Sequence, residues 1–155
     1  MLLIWVFFIA EYFSGNKSVW FNRALRLLIA LTFVGHGLYA LGFHPVPAHF
    51  ILMTQAGLGV GEETARNLLF VVGWLDILAA LLLVIPSPKT QKLALYWIIP
   101  WAILTTLARL WSYGGLVPWE TLLTQWLPEV IRRLPHVLVP LALWQMLQRP
   151  SAPSA

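Results

Sequence analysis

The chain has 155 residues, of which 59% are hydrophobic and 10% charged, with a net charge of +4 at neutral pH. A soluble domain of this length carries roughly one quarter charged residues, because polar groups must cover its surface, so water is the wrong solvent for most of this one. The ten Lys and Arg are scattered and form no nucleic-acid stripe, and the absence of Cys excludes disulfides, thiolate metal sites and CxxC redox chemistry within the chain.

Residues 1–13 are apolar except for Glu11, with no basic stretch before them and no small-residue cleavage motif after them, which argues against a signal peptide. As a helix they reach only about 20 Å, short of the roughly 30 Å hydrocarbon core, which predicts an N-terminal interfacial helix broken at Ser14, Gly15 and Asn16. The first predicted span is 23–42, where Leu27 to Leu41 carry no charge unless His36 is protonated and Arg23 and Arg26 snorkel to the interface. The loop that follows contains Pro45, Pro47, Gly57, Gly59 and Gly61 and leaves room for a short interfacial helix over Phe50 to Leu58. A second span is predicted at 65–85, stopped by Pro86, Ser87 and Pro88, with Lys89 and Lys92 making the connection basic.

The third span, 93–111, holds Pro100, which predicts a kink whose freed carbonyl is satisfied by neighbouring helices. Pro118 then opens a short amphipathic helix that reaches Trp126. The last span, 128–148, begins with Glu129, Arg132 and Arg133 and contains Pro135 and Pro140, and the tail 150–155 is predicted to be disordered. The expected fold is therefore all-α: a single-domain integral membrane four-helix bundle, with the extra N-terminal interfacial helix and short amphipathic helices in the outer loops. Lys17, Arg23, Arg26, Lys89, Lys92 and Arg149 fall on one side and Arg66, Arg132 and Arg133 on the other, so the positive-inside rule places both termini in the cytoplasm. Trp111, Trp119 and Trp126 would form an outer aromatic belt and Trp20 and Trp144 an inner one.

Titratable groups inside a span cost several kcal/mol unless they face protein or water, and each predicted span carries one: His36, Asp76, Arg109 and His136. All four are expected between the midplane and the outer interface, where they can meet. Thr32, His36 and Tyr39 follow helical spacing, as do Thr105 and Arg109, while Gly73 and Ala80 bracket Asp76 and Gly35 and Gly37 flank His36. Two readings follow. Asp76 and Arg109 form a structural ion pair, or His36, Tyr39, Asp76, Arg109 and His136 line a ligand-binding or proton-handling pocket. Two His on different helices are the right ligand type for a b-type haem, but no recurring spacing accompanies them, and His44 with His49 makes a still weaker metal motif, so no metal site is expected. Arg132 and Arg133 are candidates for contact with an anionic headgroup, against ordinary snorkelling.

The run from Arg26 to Leu41, with an Arg opening the helix and His36-Gly37 near its outer end, resembles the first span of DoxX-like membrane proteins. Gly73-Trp74-Leu75-Asp76 is similar to that family's second span, in which an acid follows a Gly by three residues. The resemblance covers about residues 23–112. This chain has Ala40 where the family often has Lys, and Asp76 where it more often has Glu, which marks a divergent branch. The resemblance implies an auxiliary subunit of a redox assembly in a bacterial cytoplasmic membrane, with other membrane or redox subunits and the lipid bilayer as partners. A quinone-like or lipid ligand fits such a pocket, since quinone carbonyls accept hydrogen bonds from His and Arg and a carboxylate can relay the accompanying proton. The alternative is a structural or interaction subunit held together by the Asp76 and Arg109 pair.

Overall fold

The computed structural model describes residues 19–148, and these are all-helical, with no strand among them. The predicted N-terminal interfacial helix and C-terminal tail, together with Lys17 and Arg149 from the orientation argument, lie outside the described residues. The elements are α1 (Val19–Leu41), α2 (Ala48–Leu58), α3 (Glu62–Val84), α4 (Pro88–Tyr113), the single turn α5 (Trp119–Thr121), a π-helical turn (Leu122–Trp126) and α6 (Leu127–Gln148).

Among the described residues three helices are long and apolar enough to cross a membrane: Phe21–Leu41 within α1, the whole of α3 and the whole of α4. Where the sequence predicts four equivalent crossings, α6 stands apart. It has 22 residues, so length is not the difference. Glu129, Arg132, Arg133, His136, Gln145 and Gln148 dilute its apolar content, and they are spread from its first turn to its last.

Glycines end α1 and α2. Gly42 and Gly59 have φ of +83° and +66°, and the Gly59 N–H donates to the Gln55 carbonyl at 2.8 Å, closing the last turn of α2. Between α3 and α4 the chain turns within three residues. The Ser87 N–H donates to the Ile85 carbonyl at 2.7 Å, and buried Gln91 donates its side-chain amide to the same carbonyl at 2.8 Å. This tight joint makes α3 and α4 an antiparallel pair and fixes which residues lie level with one another. Pro100, Pro135 and Pro140 lie inside α4 and α6, and both helices continue through them.

Helices α1 and α3 approach closely at one point. A Cβ added to Gly37 would stand 2.8 Å from the Gly73 carbonyl oxygen, and one added to Gly73 would stand 3.0 Å from that of Gly37. Only the missing side chains allow the backbones to meet, which is how helices associate where hydrophobicity supplies no drive. The main core joins Leu25, Ile29 and Phe33 of α1 to Ala79, Ala80 and Leu83 of α3, Leu95 and Ile98 of α4, and Leu143 of α6. Outward faces carry exposed Leu31, Leu78, Leu81 and Leu107, a surface suited to lipid rather than water. The α1 to α3 and α4 to α6 connections lie at the same end of the bundle, and α2 packs there on α3 and α4. We call this the capped end.

Candidate functional site

Asp76 is 2% exposed, midway along α3. Its Oδ1 accepts a hydrogen bond from the Trp97 indole N–H at 2.9 Å, and Trp101, one turn on, stacks on Trp97 with ring centroids 5.5 Å apart. The carboxyl is therefore satisfied by a neutral donor rather than by a cation. Among the described residues it forms no ion pair; the pairs present are Glu62 with Arg66 and Glu129 with Arg132. The Asp76 and Arg109 ion pair, one of the two readings of the sequence, is not formed. The reason is register: the tight α3 to α4 turn sets Asp76 level with Trp97, and Arg109 lies twelve residues, about 18 Å of helix, beyond Trp97.

Arg109 is 5% exposed, near the capped end of α4. Its Nη1 nitrogen is buried and has no hydrogen-bond partner. Between these two levels the imidazoles of His36 and His136 stack, with centroids 5.7 Å apart and planes 12° from parallel. Arg133 stands one turn before His136 on α6, toward the capped end.

His36, Asp76, Arg109 and Arg133 all line one cavity of about 210 Å³. Its remaining wall is mostly apolar and follows helical spacing: Leu69 and Val72 lead to Asp76 on α3, and Trp101, Leu104 and Ala108 share a face of α4. Helix α2 closes the cavity with Phe50, Met53 and Gly57. It is held there by the Ser112 hydroxyl, which donates to the Met53 carbonyl at 3.0 Å. Contact is tight: a Cβ on Gly57 would lie 2.6 Å from the Trp111 indole nitrogen and 2.7 Å from the Ser112 hydroxyl.

Not every candidate joins this site. Tyr39 is 41% exposed and sets its ring edge against His44 at 5.3 Å, away from the cavity lining. His136 is not among the lining residues but stacks on His36, which is. Arg132 is exposed and bonded to Glu129 at 2.8 Å, whereas its neighbour Arg133 turns inward to the lining. The hydroxyls expected to accompany the charged groups bond to their own helices instead, Thr32 to the Leu28 carbonyl and Thr105 to that of Trp101. His44 and His49 make separate ring contacts, with Tyr39 and Phe50, and no group of three or more His, Asp or Glu converges among the described residues.

Trp97, Trp101 and the inner face of α2 are part of the site and were not singled out from sequence. The usable signal was the short turn: residues equally far from Ile85 to Ser87 on α3 and α4 must lie level, which pairs Asp76 with the Trp97 region. On α2, His49 is held below its usual pKa, first by burial and then by the positive charges of Arg109 and Arg133. Arg109 and Arg133, both in the lining, make the capped end of the cavity electropositive.

No protein-family model, curated protein or solved structure matches the chain. The chemistry of the cavity carries the functional argument by itself. Donors at one end, a carboxyl at the other and apolar walls between them suit the polar head of an amphipathic molecule. A cavity of about 150 Å³ holds benzene and drug-sized ligands need roughly 300 Å³ or more, so 210 Å³ suits a single ring or a small head group.

Proposed function

We propose that the protein is a four-span membrane protein, with both termini cytoplasmic, that binds the head of a quinone-like or lipid ligand in the outer half of the bilayer. In this reading α6 is the fourth crossing, with Arg133 in the lining, His136 stacked on His36 and its charged start at the interface. The protein acts as an auxiliary subunit of a membrane redox assembly, as the resemblance of residues 23–112 to DoxX-like proteins implies. The observation that carries the ligand-binding reading is Arg109, whose buried Nη1 lines a cavity in an apolar bundle and has no protein acceptor. A buried donor of this kind, aimed into a cavity, is suited to an acceptor on a bound molecule.

The test is to purify the full chain in mild detergent, extract it and identify bound molecules by mass spectrometry, beside Asp76→Asn. The variant keeps an oxygen able to accept from Trp97 but loses the charge. Retained ligand in the parent, together with lowered quinone-linked activity in an intact variant, supports the reading. A parent with no retained amphiphile and no binding of added quinone or lipid refutes it.

A second reading is a structural subunit that docks a partner at the capped end. Phe43, Leu116 and Trp119 favour it, being 78%, 69% and 66% exposed there. A stoichiometric protein partner without bound small molecule would support this reading over the first.

A further inference from the structure

The capped end of the cavity holds more positive charge than the described residues pair with carboxylates. Arg109 is buried, has no carboxylate within ion-pair distance among the described residues, and leaves Nη1 without an acceptor. Arg133 lines the same cavity from α6. Among the described residues, the other carboxylates are engaged or lie outside the lining. Glu129 is felt by both arginines but is bonded to Arg132 at 2.8 Å; Glu62 is bonded to Arg66 at 2.7 Å; Glu63 and Glu120 are exposed and outside the lining. Asp76, the one acid in the lining, is held at the level of Trp97, far down the helix from Arg109.

A buried guanidinium with no carboxylate in ion-pair contact is unfavourable in a medium that cannot solvate it, so a site that keeps one is complementary to an anion. We propose that the cavity selects an acidic amphiphile, its phosphate or carboxylate head bound by Arg109 and Arg133 and the first carbons of its tail lying against the apolar wall. The planar guanidinium fork matches two oxyanion oxygens at once, which neither a hydroxyl nor a neutral carbonyl offers. Leu69, Val72 and Leu104 supply the wall, and the 210 Å³ volume accommodates a head and a few methylenes with the remaining tail in lipid. This inference rests on the cavity being a ligand site and narrows its ligand from quinone or lipid to an acid.

The experiment uses the full chain in neutral maltoside detergent and five probes: dodecyl phosphate, dodecanoate, dodecanol, decylubiquinone and inorganic phosphate. Native mass spectrometry counts retained ligands, and thermal unfolding reports stabilisation. One dodecyl phosphate or dodecanoate per chain, with a raised Tm and no effect of dodecanol or inorganic phosphate, is the expected result. Arg109→Gln and Arg133→Gln should each weaken that binding about tenfold or more, the usual loss for a hydrogen bond to a charged group. Equal retention of dodecanol or decylubiquinone overturns the acidic head while leaving a ligand site in place. Inorganic phosphate binding as tightly as dodecyl phosphate overturns the amphiphile, and retention of no probe overturns both readings. The comparison of dodecyl phosphate with dodecanol needs no variant, so it stands even where an arginine substitution prevents folding.

Discussion

The imidazoles of His36 and His136 stack at 5.7 Å although a hundred residues separate them in the chain. This contact ties α1 to α6, and it sits on the wall between the Asp76 level and the two arginines. Aromatic pairs of this kind contribute about 0.5–1.5 kcal/mol beyond their buried area. A double-mutant cycle with His36→Ala and His136→Ala, read by unfolding in mixed micelles, should return a coupling of that size. Strictly additive effects would show that the rings merely lie side by side.

The α1 and α3 crossing depends on two missing side chains. Gly37→Ala and Gly73→Ala each place a methyl group against a backbone carbonyl of the other helix, so each should destabilise by about 1–3 kcal/mol, the usual penalty for overpacking. Gly35→Ala is the control, since a Cβ there meets nothing within 4 Å and alanine is the better helix former. Equal behaviour of Gly35→Ala and Gly37→Ala in a thermal unfolding assay would contradict this packing.

Trp97 is the donor that makes a carboxyl tolerable in the middle of α3. Trp97→Phe leaves the Asp76 oxygen without it and should lower stability by about 1–3 kcal/mol. Combining Trp97→Phe with Asp76→Leu should recover part of that loss, because the pair is then removed together. No recovery in the double variant would mean that the indole matters for packing alone.

His49 gives the protein a pH dependence of known sign. Its proton affinity is lowered in the folded chain, so as pH falls through about 6.5 the unfolded chain takes up its proton first and folding stability declines. The decline ends once pH drops below the folded value. Tm measured from pH 7.5 to 5.5 should therefore fall less in His49→Gln than in the parent. In Arg109→Gln the His49 titration followed by NMR should move up toward its ordinary position, and an unmoved midpoint would show that the arginine charge does not reach it.

Gly57 controls how closely α2 covers the cavity. Gly57→Ala would push against the Trp111 indole and the Ser112 hydroxyl, and the Ser112 to Met53 bond should break as α2 lifts. Faster hydrogen exchange confined to α2 and the end of α4 is the expected signature. Unchanged exchange there would show that the contact can relax without moving the helix.

Composition and apolar run length by themselves determined that this is an all-helical chain with crossing-length segments, because lipid forces every backbone polar group into intrahelical bonds and leaves the hydrophobic runs easy to read. They also marked the costly residues His36, Asp76, Arg109 and His136, since an ionisable group in an apolar run is conspicuous wherever it points; Arg133 read only as a charge at the interface. Which of these groups meet was decided only by tertiary structure. The register of the three-residue turn hands Asp76 to Trp97 and leaves Arg109 alone, the Gly37 and Gly73 contact sets the depth of His36, and the rotation of α6 sends Arg133 inward while Arg132 turns out. Hydropathy reports depth along one helix at a time, whereas a pairing depends on the rotation and relative shift of two, and those follow from side-chain packing that no single segment encodes.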